Sequence, residues 1–357
     1  MLLKLALRMW VRPWALIAWT AVASRGVPVL LAGALPITLI KRNSSCARLL
    51  NPAAMYKAIQ NKLQAGHAII LDGGTGTDIQ RRGAPMSGET WCADVNLTHP
   101  EIVGLVHDDY VRAGAEIICA NTFATSALSF DVYGRGDELL KIDAEAVAIA
   151  KRAVAGTQVA VAGSISTMRP VAAGSDRTLK DVEWSEGDAR NLFRRKAANL
   201  AAAGVELIMM EMMRDVDYSV YATETAMETG LPVWVGISVE RREDGELAGF
   251  GRNDQLLDDV ARRLAATRPA AMSIMHTSPN DTNEALQVLR KYWDGPLGAY
   301  PECGYFKSPD WQFVDVIEPD DLVSKALDWQ KLGVSIFGGC CGLGPAHIAA
   351  LAKEFKR

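Results

Sequence analysis

The 357-residue chain carries 38 Lys and Arg against 42 Asp and Glu, a net charge of −4, and is 49% hydrophobic and 22% charged. These proportions lie near globular averages and exclude a disordered or fibrous protein. No run of five or six Lys or Arg occurs, so the electrostatic footprint of a nucleic-acid binder is missing and a small-molecule partner is expected.

Residues 1–54 do not match the rest. Lys4, Arg8 and Arg12 precede the apolar run Trp14 to Ala23, and a second run, Val27 to Ile40, follows Arg25. A start called too early, with Met55 as the true beginning, is the leading reading. A signal peptide or membrane anchor is the second, although Arg25, Pro28 and Pro36 interrupt the ~20 apolar residues that a spanning helix needs. A disordered extension is the third. Contact with a membrane is expected only if this extension is real. Six cysteines in so long a chain are too few for a disulfide framework, which places the protein in a reduced, cytoplasmic setting.

From residue 55 onward, short apolar runs alternate with amphipathic stretches, as repeated βα units around a parallel sheet require. The runs are Ala68 to Gly74, Ala115 to Thr122, Val159 to Ile165, Glu206 to Met212, Pro232 to Val239, Ala270 to Thr277, Pro296 to Pro301 and Val334 to Cys341. Each is near-continuously apolar, as strands covered on both faces should be. Helices are expected over Pro100 to Ala113, Asp143 to Val154, Gly187 to Ala203, Tyr218 to Thr229, Asp254 to Thr267, Thr282 to Tyr292 and Glu318 to Leu332. Gly114, Gly204, Gly230 and Gly333 suit helix C-termini. Eight strands in regular alternation predict a single (β/α)8 TIM barrel over residues 55–357, with a doubly wound open sheet as the alternative.

Barrel chemistry sits at the carboxyl ends of the strands. Those ends read Asp72-Gly73-Gly74, Asn121-Thr122, Gly163-Ser164, Glu211, Ser238, His276, Tyr300 to Cys303, and Cys340-Cys341, a set of thiols, carboxylates and one imidazole. Gly338-Gly339-Cys340-Cys341-Gly342 is the most specific signal. Flanking glycines let the backbone turn so that both sulfurs address one ion, which favours Zn2+ over a pair of buried, inert thiols.

The stretch Gly338 to Pro345 resembles the C-terminal zinc motif of the homocysteine S-methyltransferase family. Asp72 to Thr77 and Ala113 to Phe123 are similar to that family's first-strand and second-strand motifs, and the likeness covers roughly residues 60 to 355. The resemblance implies a methyltransferase that moves a methyl group to homocysteine or a similar thiol, as in methionine biosynthesis. It also implies zinc held by three protein ligands, with Asp72 and Glu211 on the substrate's amino group and Gly73 and Gly74 beside them. Asn121 and Thr122 either hold the substrate carboxylate or tie the loop.

Two departures stand out. The first of the family's three zinc cysteines, at the end of strand six, is His276 here, and a Tyr-Pro-Asn-Ser-Gly-like segment reads Tyr300-Pro301-Glu302-Cys303-Gly304. The metal set becomes His276, Cys340 and Cys341. Neutral imidazole for thiolate leaves the zinc site formally neutral, so a substrate thiolate is held more tightly and is a poorer nucleophile. Cys303 falls near the metal or is placed there by chance. The barrel leaves no room in the chain for a cobalamin or folate module, so a small sulfonium or betaine is the expected donor. A different thiol acceptor, a methylated catabolic substrate, or a zinc-binding barrel acting as a non-catalytic partner subunit are the alternatives. A homo-oligomer is compatible with all of them.

Overall fold

Eight apolar segments pair side by side as parallel strands: β1 Ile69–Ile70, β2 Ile117–Ala120, β3 Ala160–Ser166, β4 Leu207–Met213, β5 Val233–Arg241, β6 Ala271–Met275, β7 Leu297–Tyr300 and β8 Val334–Phe337. They belong to a computed structural model that describes residues 52–179 and 182–356. The extension over residues 1–54, with its start, signal and anchor readings, lies outside the described residues except for residues 52–54. The strand order is β1-β8-β7-β6-β5-β4-β3-β2, and a parallel bridge from Leu71 to Ile117 joins β1 to β2 and closes the ring. The sheet is therefore a (β/α)8 barrel.

Alternation along each strand separates two apolar layers. Ile69, Leu71, Ala160, Ala162, Leu207, Met209 and Trp234 pack together in the barrel interior, while Ile70, Val161, Ile208 and Val235 join the layer beneath the helices. Both faces are dry, which is why the strands read as continuous apolar runs. Burying a side chain of this size contributes about 1.5–3 kcal/mol relative to leaving it exposed.

A helix over Pro52–Gln64 closes the amino-terminal end of the barrel. Its Tyr56 and Ile59 pack on the interior residues, Tyr56 accepts a 3.0 Å hydrogen bond from Trp234 Nε1, and Lys62 lies 2.5 Å from Glu116. The helix begins ahead of Met55, and sequence periodicity alone did not reveal its role as a plug. Among the described residues no helix is long and apolar enough to cross a membrane.

The expected helices are present with shifts of a few residues, and Gly114 and Gly204 end two of them in the left-handed conformation at φ 102° and 88°. One boundary differs for a physical reason. The helix expected from Asp254 starts at Leu257, because Arg252–Leu256 pairs with Leu247–Gly249 as an antiparallel arm grown from β5. A ribbon of exposed polar residues ending in Asp and Gln mimics a helix start. A second unforeseen piece, the hairpin Tyr305–Lys307 with Asp310–Gln312, rises after β7.

Candidate functional site

The loops at the carboxyl ends of the strands enclose a cavity of about 310 Å³. Backbone contacts fix its floor. Gly74 N donates to Leu343 O at 3.0 Å, Gly339 N to Asp72 O at 3.1 Å, Cys340 N to Pro301 O at 2.8 Å and Cys303 N to Cys341 O at 3.0 Å. The loops after β1 and β7 thus hold the cysteine turn from two sides. A Cβ on Gly74 would stand 2.6 Å from Cys340 O, and Gly342 turns at φ 82° with room for no side chain against Cys303 O. Only glycine tolerates either position.

This turn brings together His276, Cys340 and Cys341, whose ligand atoms lie within 4.8 Å of one another. Cys340 Sγ is 3.5 Å from His276 Nδ1 and 4.0 Å from Cys341 Sγ. His276 follows β6 in a left-handed backbone conformation, φ 42°, and is wedged edge-on between Phe250 and Trp311 at 5.1 and 5.7 Å. Its other ring nitrogen, Nε2, stands 3.0 Å from Glu302 Oε2, a buried oxygen that makes no straight hydrogen bond. Burial lowers the His276 pKa to about 3, with help from the Arg214 charge, so the ring is neutral and offers a lone pair. The hydrogen bond to Cys340 and burial push the Cys341 thiol well above its usual range. A bound cation would reverse that shift and favour the Cys341 thiolate. Cys303 is not among the grouped ligands; it is buried in the outer apolar layer.

Asp72 and Glu211 also line the cavity. Asp72 accepts from Cys119 N at 2.7 Å, and burial, with Glu211 adding, raises its pKa well above the carboxylate range. Glu211 accepts from the Ser164 hydroxyl, and burial raises its pKa to about 7. A bulge between Met210 and Met213, with Met212 at φ 53°, lets Glu211 and Met212 both face the cavity. A cationic group placed beside this desolvated carboxylate pair would let both ionise.

Gly73, Gly74 and Asn121 line the same cavity. The Asn121 amide is tied to its own loop, donating to Cys92 O at 3.0 Å and Asn96 Oδ1 at 3.1 Å and accepting from Cys92 Sγ. Thr122 is fully buried and its hydroxyl donates to Ser164 O at 3.0 Å.

Trp91, Phe123, Phe250, Phe306 and Trp311 build an aromatic wall around the cavity, with Trp91 5.7 Å from Phe306 and 6.3 Å from Phe123. Sequence reasoning missed them, as it missed Glu302 as the His276 neighbour and the arginines Arg169 and Arg214. They are scattered over loops and the short hairpin after β7, and only the closed ring of strands makes them neighbours.

A family model described as homocysteine S-methyltransferase matches residues 69–355. Homocysteine S-methyltransferase 4 of Zea mays is 26% identical over 82% of this chain and 91% of its own length. Betaine–homocysteine S-methyltransferase 1 of Xenopus tropicalis is 26% identical over 85% of this chain and 76% of its own. Among solved structures, the metallated homocysteine methyltransferase MmuM of Escherichia coli superposes with a TM-score of 0.66 at 26% identity, over 85% of this chain and 99% of the other.

Proposed function

Because the chain belongs to the homocysteine S-methyltransferase family and is a methyltransferase, we propose that it moves a methyl group from a small sulfonium or betaine-type donor to homocysteine or a similar thiol, with Zn2+ held by His276, Cys340 and Cys341. The observation that carries this reading is the convergence of one imidazole nitrogen and two sulfurs within 4.8 Å at the floor of the cavity.

The donor set fits zinc. Two sulfurs and a neutral imidazole are preferred ligands, and bonds of about 2.0–2.3 Å in a tetrahedron require ligand atoms roughly 3.5–3.8 Å apart, close to the observed 3.5 and 4.0 Å. When bound, the ion lowers the pKa of a thiol and presents it as a thiolate.

The chain's own residues supply the rest. Asp72 and Glu211, desolvated at the ends of β1 and β4, accept the acceptor's ammonium group and so orient its thiol towards the cysteines. The aromatic wall of Trp91, Phe250 and Trp311 offers π-faces to the methylated cation of the donor and keeps water from the transfer. In the transfer the donor's S–CH3 or N–CH3 bond breaks, its electron pair stays on the donor atom, and a new C–S bond forms to the thiolate. The donor thereby loses its positive charge. Free thiols at Cys92, Cys119, Cys303, Cys340 and Cys341 suit the reduced cytoplasm as the place of action.

His276 favours a second acceptor as an alternative. A site with two thiolates instead of three carries less negative charge and deprotonates a bound thiol more strongly, so it suits a less acidic, more nucleophilic thiol than homocysteine. The deciding experiment measures zinc per chain in the purified protein and the methylated product across a matrix of thiols and methyl-onium donors. Stoichiometric zinc with methionine formed from homocysteine supports the proposal. Turnover that persists in metal-free protein overturns the zinc assignment.

A further inference from the structure

Thr122 and Ser164 stand behind the cavity and not in its wall, which Asn121, Phe123 and Glu211 line. Both are sealed from solvent, at 0% and 1% exposure. Strand pairing brings them together. The ladder between β2 and β3 ends at Ala120 and Gly163, and beyond it Ser164 N donates to the Thr122 hydroxyl at 2.9 Å. The same hydroxyl donates to Ser164 O at 3.0 Å. One side chain thus grips both backbone groups of one residue, which answers the need of buried N–H and C=O groups for partners.

Ser164 passes this constraint on. Alternation turns Ala160 and Ala162 of β3 and Leu207 and Met209 of β4 into the barrel interior, and Ser164 and Glu211 are the next residues in those two series. The Ser164 hydroxyl donates to Glu211 Oε2, the sole side-chain hydrogen bond of Glu211 among the described residues. Glu211 needs such a hold, because the bulge between Met210 and Met213 interrupts the ladder to β5 at this point. On the far side of Thr122, its carbonyl accepts from the Thr125 hydroxyl at 2.8 Å and the Lys196 ammonium at 3.3 Å. Both of these bond to Asp143 Oδ1, at 2.6 and 2.5 Å. A continuous run of buried hydrogen bonds therefore ends on the one carboxylate that reaches the cavity.

We infer that Thr122 and Ser164 are positioning residues for the acceptor's ammonium group: Thr122 fixes Ser164, and the Ser164 hydroxyl holds Oε2 of Glu211 and leaves Oε1 for the amine. The inference rests on the ammonium role given to Glu211 above and adds two residues that never meet the substrate. It assigns Thr122 to the amine end of the acceptor, through Ser164, and not to its carboxylate. A hydroxyl that donates to a carboxylate also favours the ionised form, the one that attracts a cation. Ser164 lowers the Glu211 pKa in this way, against the burial that raises it.

Two measurements on the full-length, zinc-loaded protein test this. Calorimetry compares homocysteine with γ-mercaptobutyrate, which keeps the thiol, the chain and the carboxylate and lacks the amine. Ser164→Ala and Thr122→Val should cut the preference for homocysteine about tenfold or more, the scale of a charge-assisted bond, with zinc content and γ-mercaptobutyrate affinity unchanged. Thr122→Ser keeps the hydroxyl and should retain the preference. Infrared difference spectra across pH 5 to 10 follow the Glu211 carboxyl itself, without any ligand. Its band is assigned by its loss in Glu211→Gln, because Asp72 from β1, Cys119 from β2 and Tyr300 from β7 also respond to the Glu211 charge. In Ser164→Ala and Thr122→Val the titration should move up by about one to two pH units. Equal losses for the two thiols, or a preference and a titration unchanged in both variants, overturn the proposal and leave Glu211 in its role. A wild-type preference near one overturns the ammonium role of Glu211, and the proposal with it, even where the infrared shift shows the hydrogen-bonded chain intact.

Discussion

Nε2 of His276 stands 3.0 Å from Oε2 of Glu302, on the opposite side of the ring from Nδ1 and Cys340. Burial, with the Asp176 charge adding, raises the Glu302 pKa to about 8, and in its ionised form it selects the tautomer with the proton on Nε2 and leaves the Nδ1 lone pair facing the sulfurs. Glu302→Gln should lower zinc affinity by about 10–100-fold, the usual cost of losing such a support. Competition with a chromophoric chelator measures it, and unchanged affinity would make Glu302 a bystander.

Cys340→Ala and Cys341→Ala should each remove bound zinc, since a missing thiolate costs more than a missing support. X-ray absorption at the zinc edge should show two protein sulfurs and at least one nitrogen in the native protein. Three protein sulfurs without imidazole scattering would put Cys303 or another thiol in the place given to His276.

Glu211→Gln should weaken homocysteine binding by roughly 10–100-fold, the range for losing a charge-assisted bond of about 1.5–3 kcal/mol, with zinc content unchanged. The pH dependence of the free protein is a separate signature. Burial raises the Glu211 pKa from its usual ~4.3 to about 7, so between those values the folded state holds a proton that the unfolded state has lost. Stability contributed by this group is therefore greatest at low pH and falls as pH rises through the window. Asp72, shifted in the same direction, adds to the slope. Thermal melting across pH 4.5 to 8 should show a shallower decline in Glu211→Gln, and an unaltered slope would discard the raised pKa.

Lys196 is buried with its ammonium 2.5 Å from Asp143 and 3.3 Å from Thr122 O, beneath the loop that follows β2. Lys196→Met would leave buried Asp143 without its cation, with the Thr125 hydroxyl still donating to it. The expected loss is about 3–5 kcal/mol, read from denaturant unfolding, and Lys196→Met with Asp143→Leu should recover much of it. If the single change is neutral, the pair does not hold the loop.

The strands were legible because both faces of a parallel barrel are dry. Val159 to Ile165 was expected and Ala160–Ser166 is found. The proposed ligand set was readable as a candidate for another reason: Cys340 and Cys341 are adjacent in sequence, and His276 sits where a strand ends. The walls of the cavity were not. Trp91 and Trp311 are far apart in sequence and belong to no periodic pattern, and the hairpin carrying Trp311 is held by a pairwise amide exchange with Gln80, at 2.8 and 3.0 Å, that no local signal announces. The arm at Arg252–Leu256 was misread because an exposed edge ribbon lacks the apolar repeat that marks a strand.

The left-handed turn at His276, φ 42°, also restricts which residues selection could place there. Glycine enters that region freely, Asn, Asp and His enter it at modest cost, and β-branched residues are effectively barred. A saturation library at this codon would be filtered twice, once by the backbone and once by the need for an electron pair directed at the sulfurs. Few genotypes pass both filters. Under the zinc reading proposed above, exchange of this ligand therefore meets the backbone and the metal together, and any neighbouring substitution that relaxes the turn would ease it.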